Sequence, residues 1–310
     1  MIIKHETLQA LRTMVRGEFA AQAAILQKLT PLHQTVATVI PSNTRSNTYG
    51  WLGNFPQLRE WIGPRVMQSM KESGYTLENQ KYEATLQVKR EDIEDDNLGI
   101  YRPLARSLAK EVVDFFDRHI VALMVDGFTG LCYDGQPFFD AEHPIYPTID
   151  GTGTSASVSN IIGDGTGAPW YLLALSGVLK PFIVQQRTNP EFEEITDPRN
   201  DSVFLLDTYM YGIRYRGSFG YGFWQQAVVC KEPLTAATYQ QARLCMQQFK
   251  RDGGDPLGMV PTHLLVDPTN EAAGRTVLEM QYDVGGGSNP NYHTATLVVS
   301  PWLPGENLHE

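Results

Sequence analysis

PLARSLAKEVVDFFDRHIVALMVD, residues 103–126, is the stretch from which the architecture can be read. Tyr101, Leu104, Leu108, Val112, Phe115, Ile120, Leu123 and Met124 recur at helical spacing until Gly127 ends the stripe. At 1.5 Å per residue this predicts a helix about 36 Å long, roughly twice the usual length of about 11–12 residues. Asp95, Asp96 and Asn97 offer caps and negative charge ahead of it, and Pro103 suits a first-turn position. A helix of that length serves as a brace for a domain, so the flanking segments are expected to pack on it.

Upstream, Tyr82, Ala84, Leu86 and Val88 alternate with Glu83, Thr85, Gln87 and Lys89, the period-two pattern of a half-buried strand. Tyr75 and Leu77 carry a shorter alternation, and Glu78-Asn79-Gln80 reads as the turn of a hairpin. A lone hairpin is marginal in water, so this one must lean on a larger body or on another chain. Further back, Leu8, Leu11, Val15, Phe19, Leu26 and Leu29 give an amphipathic helix over about 6–29 that Pro31 stops. Its own core is the simpler partner for that stripe, a neighbouring subunit the other. Residues 41–54 are polar and loop-like.

Downstream, residues 130–170 are loop-rich. Trp170–Leu175, Phe182–Val184, Val203–Leu206 and Phe223–Val229 then read as strands of one sheet. Thr235 is a plausible cap for a helix reaching Phe249. Strand Thr262–Val266, helix Thr269–Met280 and strand Ala295–Ser300 suggest a small α/β unit.

Composition narrows the function classes. The 310 residues carry a net charge of −10, 42% hydrophobic residues and 19% charged residues. The apolar share suffices for a sizeable core, and no uncharged stretch approaches the roughly 18 residues of a membrane span. No basic footprint suited to wrapping nucleic acid is present. Cys132, Cys230 and Cys245 are odd in number and widely spaced, which fits buried thiols in a reducing compartment better than disulfides or a zinc ribbon.

Candidate chemistry is thin. Gly163, Gly165 and Ala168 match G-x-G-x-x-[GA], but a dinucleotide site needs a strand before the match and a helix opening on it, and neither is suggested. Asp140, Glu142 and His143 are ligand types, yet no second histidine sits at metal-site spacing, and His143 before Pro144 reads as a loop residue bonding locally. The acidic run Glu91–Asp96 is explained by helix capping more simply than by a divalent ion. No G-x-S-x-G, phosphate-binding loop or triad stands out, so neither catalysis nor a cofactor is expected.

Four strings carry more than local physics: NTYGWLGNFPQLREWIG (47–63), REDIEDDNLGIY (90–101), DGFTGLCYDGQPFFDAEHP (126–144) and YGFWQQAVV (221–229). With LGMVPTHLLV (257–266), they resemble the major head subunits of phage Mu and its prophage relatives, in order along about residues 43–300. The resemblance implies an α+β capsid protein of the Hong Kong ninety-seven type. It further implies an N-terminal arm (1–44), an E-loop region (45–95), a peripheral domain (96–230) with a spine helix at 98–127, and an axial domain with a C-terminal strand (231–310). The implied function is self-assembly, as hexamers and pentamers, into an icosahedral shell around a double-stranded DNA genome that is not specifically bound. The virion would be its location, formed in the host cytoplasm. Scaffold, portal and possibly decoration proteins would be its partners, the scaffold coming from a separate protein or a segment removed earlier.

On this reading Trp51, Phe55, Trp61, Arg65, Tyr75, Tyr82, Phe19 and Leu26 are candidate subunit contacts, because interfaces favour aromatic and arginine anchors. About 95 residues of arm and hairpin would then lie outside any core of their own. Lys71 and Lys81 occupy the hairpin region, but nothing specifies a covalent cross-link through them. The alternatives are an encapsulin-like nanocompartment shell and, more remotely, an enzyme using a metal at the Asp140–His143 loop.

Overall fold

The computed structural model describes residues 5–50, 52, 74–94, 101–149, 151–164, 167–197, 200–283 and 285–305. In chain order these form α1 (His5–Lys28), α2 (Leu32–Val36), β1 (Ala37–Pro41), β2 (Ser46–Thr48), β3 (Thr76–Glu78), β4 (Gln80–Lys89), α3 (Arg90–Glu94) and α4 (Tyr101–Asp126). There follow β5 (His143–Ile145), β6 (Ala156–Val158), β7 (Ile161–Ile162), β8 (Trp170–Leu173), β9 (Phe182–Ile195), α5 (Asp201–Leu206), β10 (Thr208–Tyr221) and β11 (Ala227–Cys230). The chain closes with α6 (Ala236–Gln247), β12 (His263–Val266), α7 (Glu271–Leu278) and β13 (Thr296–Val299).

The long helix lies where its periodicity places it, but its buried seam is shifted. Ala105 and Ala109 are fully covered while Leu104 stays exposed. The cause is α1, which packs along α4: small side chains on α4 let Leu11 and Val15 reach a cluster with Tyr101, Val88, Val203, Tyr209 and Tyr211. Arg102 and Arg106 both reach Glu18 of α1, and Arg12 reaches Glu194 of β9. Most of the described arm is therefore tied to the subunit's own core, contrary to the expectation that these residues lie outside one.

The period-two segment is β4, with Tyr82, Ala84, Leu86 and Val88 on its covered face. It does not form a hairpin with residues 75–78. Instead β4 runs antiparallel along β10, Thr208 opposite Lys89 and Gly217 opposite Gln80, while β3 pairs with β2. The resulting four-stranded sheet has the order β1-β9-β10-β4. β9 and β10 each run 14 residues, about 46 Å at 3.3 Å per residue. The first four residues of β9 are wholly buried and the remainder alternates, so the ribbon starts in the core and leaves it.

A second, five-stranded sheet has the order β13-β12-β8-β11-β7. Three corrections follow. Phe182–Val184 belongs to the other sheet, not to that of Trp170–Leu173 and Ala227–Cys230. Val203–Leu206 falls within helix α5, because a four-residue apolar run carries no period that separates helix from strand. The pairing of β12 with β8 also joins residues on either side of residue 231, the expected start of the axial domain. Residues 167–169 lead into strand β8 rather than into a helix.

One core joins the two sheets. Phe116, Ile120 and Met124 of α4, Phe182 and Val184 of β9, and Tyr215 and Tyr221 of β10 meet Trp170–Ala174, Ala227–Cys230 and Leu264–Val266. His33 locks α2 to α4: its Nδ1 lies 2.6 Å from Asp117 Oδ1, which also accepts the His33 N–H at 2.8 Å. At the start of α6 Thr235 and Thr238 cap each other reciprocally, as the sequence suggested for Thr235.

The seam makes a prediction. Leu11→Ala should lower unfolding free energy by about 2–5 kcal/mol in thermal or denaturant unfolding of the subunit, the cost of a cavity in a core. A loss below about 0.5 kcal/mol would mean that α1 is not part of that core.

Candidate functional site

Strands β2 and β3, which flank residues 49–75 in the chain, form a paired base. The two strands pair Ser46 with Glu78 and Thr48 with Thr76, and the Tyr49 N–H continues the ladder onto the Tyr75 carbonyl at 2.8 Å. Tyr49, Leu52 and Leu77 bury themselves against Ile183 of β9 and Phe223.

At the centre of this base sits Gln185 of β9, fully buried. Its Oε1 accepts the Tyr49 hydroxyl at 2.7 Å, and its Nε2 donates to the Leu77 carbonyl at 3.1 Å and to Asn79 Oδ1 at 2.8 Å. Asn79 Nδ2 in turn donates to Ser42 Oγ and to the Thr44 carbonyl, both at 2.9 Å, and Ser42 Oγ donates to Asn47 Oδ1 at 2.9 Å. A single amide thus holds both legs of the excursion to the sheet. Burial pushes the Tyr49 hydroxyl up to about 12, keeping it a donor. On the other side, Tyr75 accepts the Tyr221 N–H at 2.6 Å.

Two glycines make room for the base. A Cβ at Gly220 would stand 2.6 Å from both Leu77 Cδ1 and the Tyr75 hydroxyl. At Gly217, beside a register shift in the β9–β10 ladder, it would stand 2.4 Å from the Gln185 carbonyl oxygen.

The candidate contact residues fall into three groups. Trp51, Phe55, Trp61 and Arg65 lie outside the described residues, as do Lys71 and the Asp95–Asn97 caps. Tyr75, Tyr82 and Phe19 pack within their own chain. Tyr82 sits edge-on to Phe115 at 4.7 Å and stacks on Tyr215 at 5.9 Å, over a cavity of about 330 Å³ between α4 and the sheet. Phe19 meets Phe192 at 6.1 Å. Leu26 is half-buried, while Ile25 beside it and Leu29 just past the end of α1 are both largely exposed. Leu29 borders a groove with Val298, Val299 and Trp302 beside β13, an edge strand of its sheet among the described residues. Arg118 covers Trp302 at 5.3 Å.

The loop proposed as a remote metal site is arranged differently. Asp140 closes a local turn by accepting the Glu142 N–H at 2.7 Å. His143, expected to bond locally, is fully buried, stacks on Trp224 at 3.9 Å and turns its Nδ1 to Asp134 Oδ2 at 2.8 Å. Cys132, read from sequence as a buried thiol, is buried, but its place beside Asp134 and His143 has only C-x-D with a histidine nine residues on as a sequence signal.

The Mu-like prophage major head subunit gpT family matches residues 8–303. This chain belongs to that family. The major capsid protein of Escherichia phage Mu is 40% identical over 308 residues, which cover 98% of this chain and 100% of that protein. The procapsid of bacteriophage JBD30 contains a chain 42% identical, with a TM-score of 0.85 over 97% of this chain and 100% of that one. The JBD30 capsid decorated with minor capsid protein trimers contains one 33% identical, with a TM-score of 0.71 over 88% of this chain and 91% of that one. The protein is the major capsid subunit of a Mu-like phage or prophage, a virion component with a mixed helix-and-sheet capsid fold, and the encapsulin alternative is not favoured.

The network at the base is open to test. Tyr49→Phe strands a buried acceptor and should reduce subunit stability by about 1–3 kcal/mol in denaturant unfolding. The folded-state pKa of Tyr49 is raised, so its contribution is complete below its ordinary value of 10.0 and is lost as pH climbs toward about 12. Wild type should therefore lose more stability than Tyr49→Phe between those values; equal losses would contradict the assignment.

Proposed function

We propose that this Mu-like head subunit assembles as hexamers and pentamers, and that the excursion between β2 and β3 reaches a neighbouring copy. The observation that supports this reading is the base itself. A buried polar network and a small apolar cluster fix both legs of the excursion, which is what a projecting contact element needs if its tip is to bind with little loss of freedom. Between the two legs the sequence carries Trp51, Phe55, Trp61 and Arg65, residue types that act as anchors at interfaces. Tyr75, Tyr82 and Phe19 would contribute by holding the contact elements, and Leu26 with Ile25 and Leu29 by offering an apolar surface.

In this reading α4 is the spine helix, and the four-stranded sheet with α1 and α4 forms the peripheral domain. The five-stranded sheet forms the axial domain, whose strands begin near Ile161 rather than at residue 231. A decoration protein is a reasonable further partner, since the decorated JBD30 capsid carries minor capsid protein trimers. Scaffold and portal proteins would complete the assembly. The net charge of −10 suits a container that encloses DNA without binding it specifically. Relatives that are structural capsid proteins support a non-enzymatic role.

Electron microscopy of the overexpressed protein should show shells, capsomer sheets or tubes. Trp61→Ala should reduce their yield at least tenfold while shifting the subunit's Tm by less than about 2 °C. Normal assembly of Trp61→Ala at wild-type concentration would contradict the proposed contact.

A further inference from the structure

Three side chains of metal-ligating type converge inside the subunit. Cys132 Sγ, an Asp134 carboxylate oxygen and a His143 ring nitrogen all lie within 4.8 Å of one another. Asp134 stands in the middle: its Oδ1 is 3.0 Å from Cys132 Sγ and its Oδ2 is 2.8 Å from His143 Nδ1. The Gln136 N–H at 3.1 Å also points to Oδ1. The His143 side chain is wholly buried and that of Asp134 is only 10% exposed. Stacking on Trp224, with the planes 8° apart, aims the ring at the carboxylate, and its Nε2 is buried with no partner, so Nδ1 makes the ring's polar contact.

We propose that Cys132, Asp134 and His143 bind one zinc-class divalent cation in each subunit. Thiolate, imidazole and carboxylate are the zinc ligand set, with bonds of about 2.0–2.3 Å. At tetrahedral angles such bonds place light ligand atoms about 3.3 Å apart, so the two separations that involve Asp134 need about half an ångström of opening. The charges balance: a dication, a thiolate and a carboxylate sum to zero, which suits a site closed off from water. Binding forms a metal–sulfur bond and releases the thiol proton to solvent, while the imidazole ligates through Nδ1 with its one proton on Nε2. The fourth position is left to a water or to the second Asp134 oxygen. A bound ion would clasp the Leu131–Ile145 loop onto Trp224, at the junction where the two sheets share their core.

Cobalt(II) added alone to the purified full-length protein, with a non-thiol reductant present, tests the site. The expected result is one cobalt per chain with a thiolate-to-cobalt charge-transfer band, displacement of that band by zinc, and release of one proton per ion bound to wild type. Cys132→Ser should abolish the band, and Cys245→Ser should keep it. Absence of the band in wild type overturns the proposal, as does a band that survives Cys132→Ser and vanishes in Cys245→Ser. Because stoichiometry and proton release are read on wild type, the outcome does not depend on whether a variant folds. It also leaves the capsid function untouched, since assembly is read separately by microscopy.

Discussion

The buried amide of Gln185 is the interaction on which the architecture of this subunit turns. A primary amide without partners costs free energy in an apolar interior, and the cost is avoided only when several groups converge on it. Here the convergent groups, Tyr49, Leu77 and Asn79, come from both legs of one long excursion. Satisfying the amide therefore closes the excursion at its base and ties it to the strand where β9 leaves the core. Gly220 completes the arrangement by letting Leu77 and Tyr75 lie directly on β10, and Gly217 lets β10 approach the Gln185 backbone of β9. The network makes the base one polar unit with the sheet.

The second constraint is that two sheets with different neighbours share one core. α4 presents Phe116, Ile120 and Met124 to that core, while its alanine-lined segment nearer the N-terminus receives α1. Burial of such side chains contributes about 1.5–3 kcal/mol each, which makes the subunit a stable body before any contact with another copy. A shell protein needs that division: a rigid body for strength and apolar surface kept free for neighbours. Among the described residues, Leu29, Val178, Leu205 and Leu206 are exposed.

Much of this was legible in the sequence, and the rest was hidden for identifiable reasons. The long helix and strand β4 could be read because each packs on one side only, which writes its period into the chain. The family could be read from long, unusual strings. The partner of β4 could not, because β10 lies more than a hundred residues later and nothing local distinguishes it from a hairpin mate. The α4 seam was misjudged at Leu104 because alanines, silent in a hydrophobic pattern, carry the contact with α1. Gln185 was invisible for a similar reason: one glutamine in a strand-like run signals nothing until its three partners arrive from elsewhere. The Cys132, Asp134 and His143 cluster escaped because histidine spacing was taken as the guide, whereas the stack on Trp224 is what turns His143 inward.

Hydrogen exchange on subunits and on assembled shells of the same protein tests the central claim most directly. Amides at Tyr49, Leu77 and Asn79 should already be protected in free subunits and should change little on assembly. Amides of 53–73 should gain at least tenfold protection when shells form. Equal protection of 53–73 in both states, or a base that becomes protected only in the shell, would contradict the account.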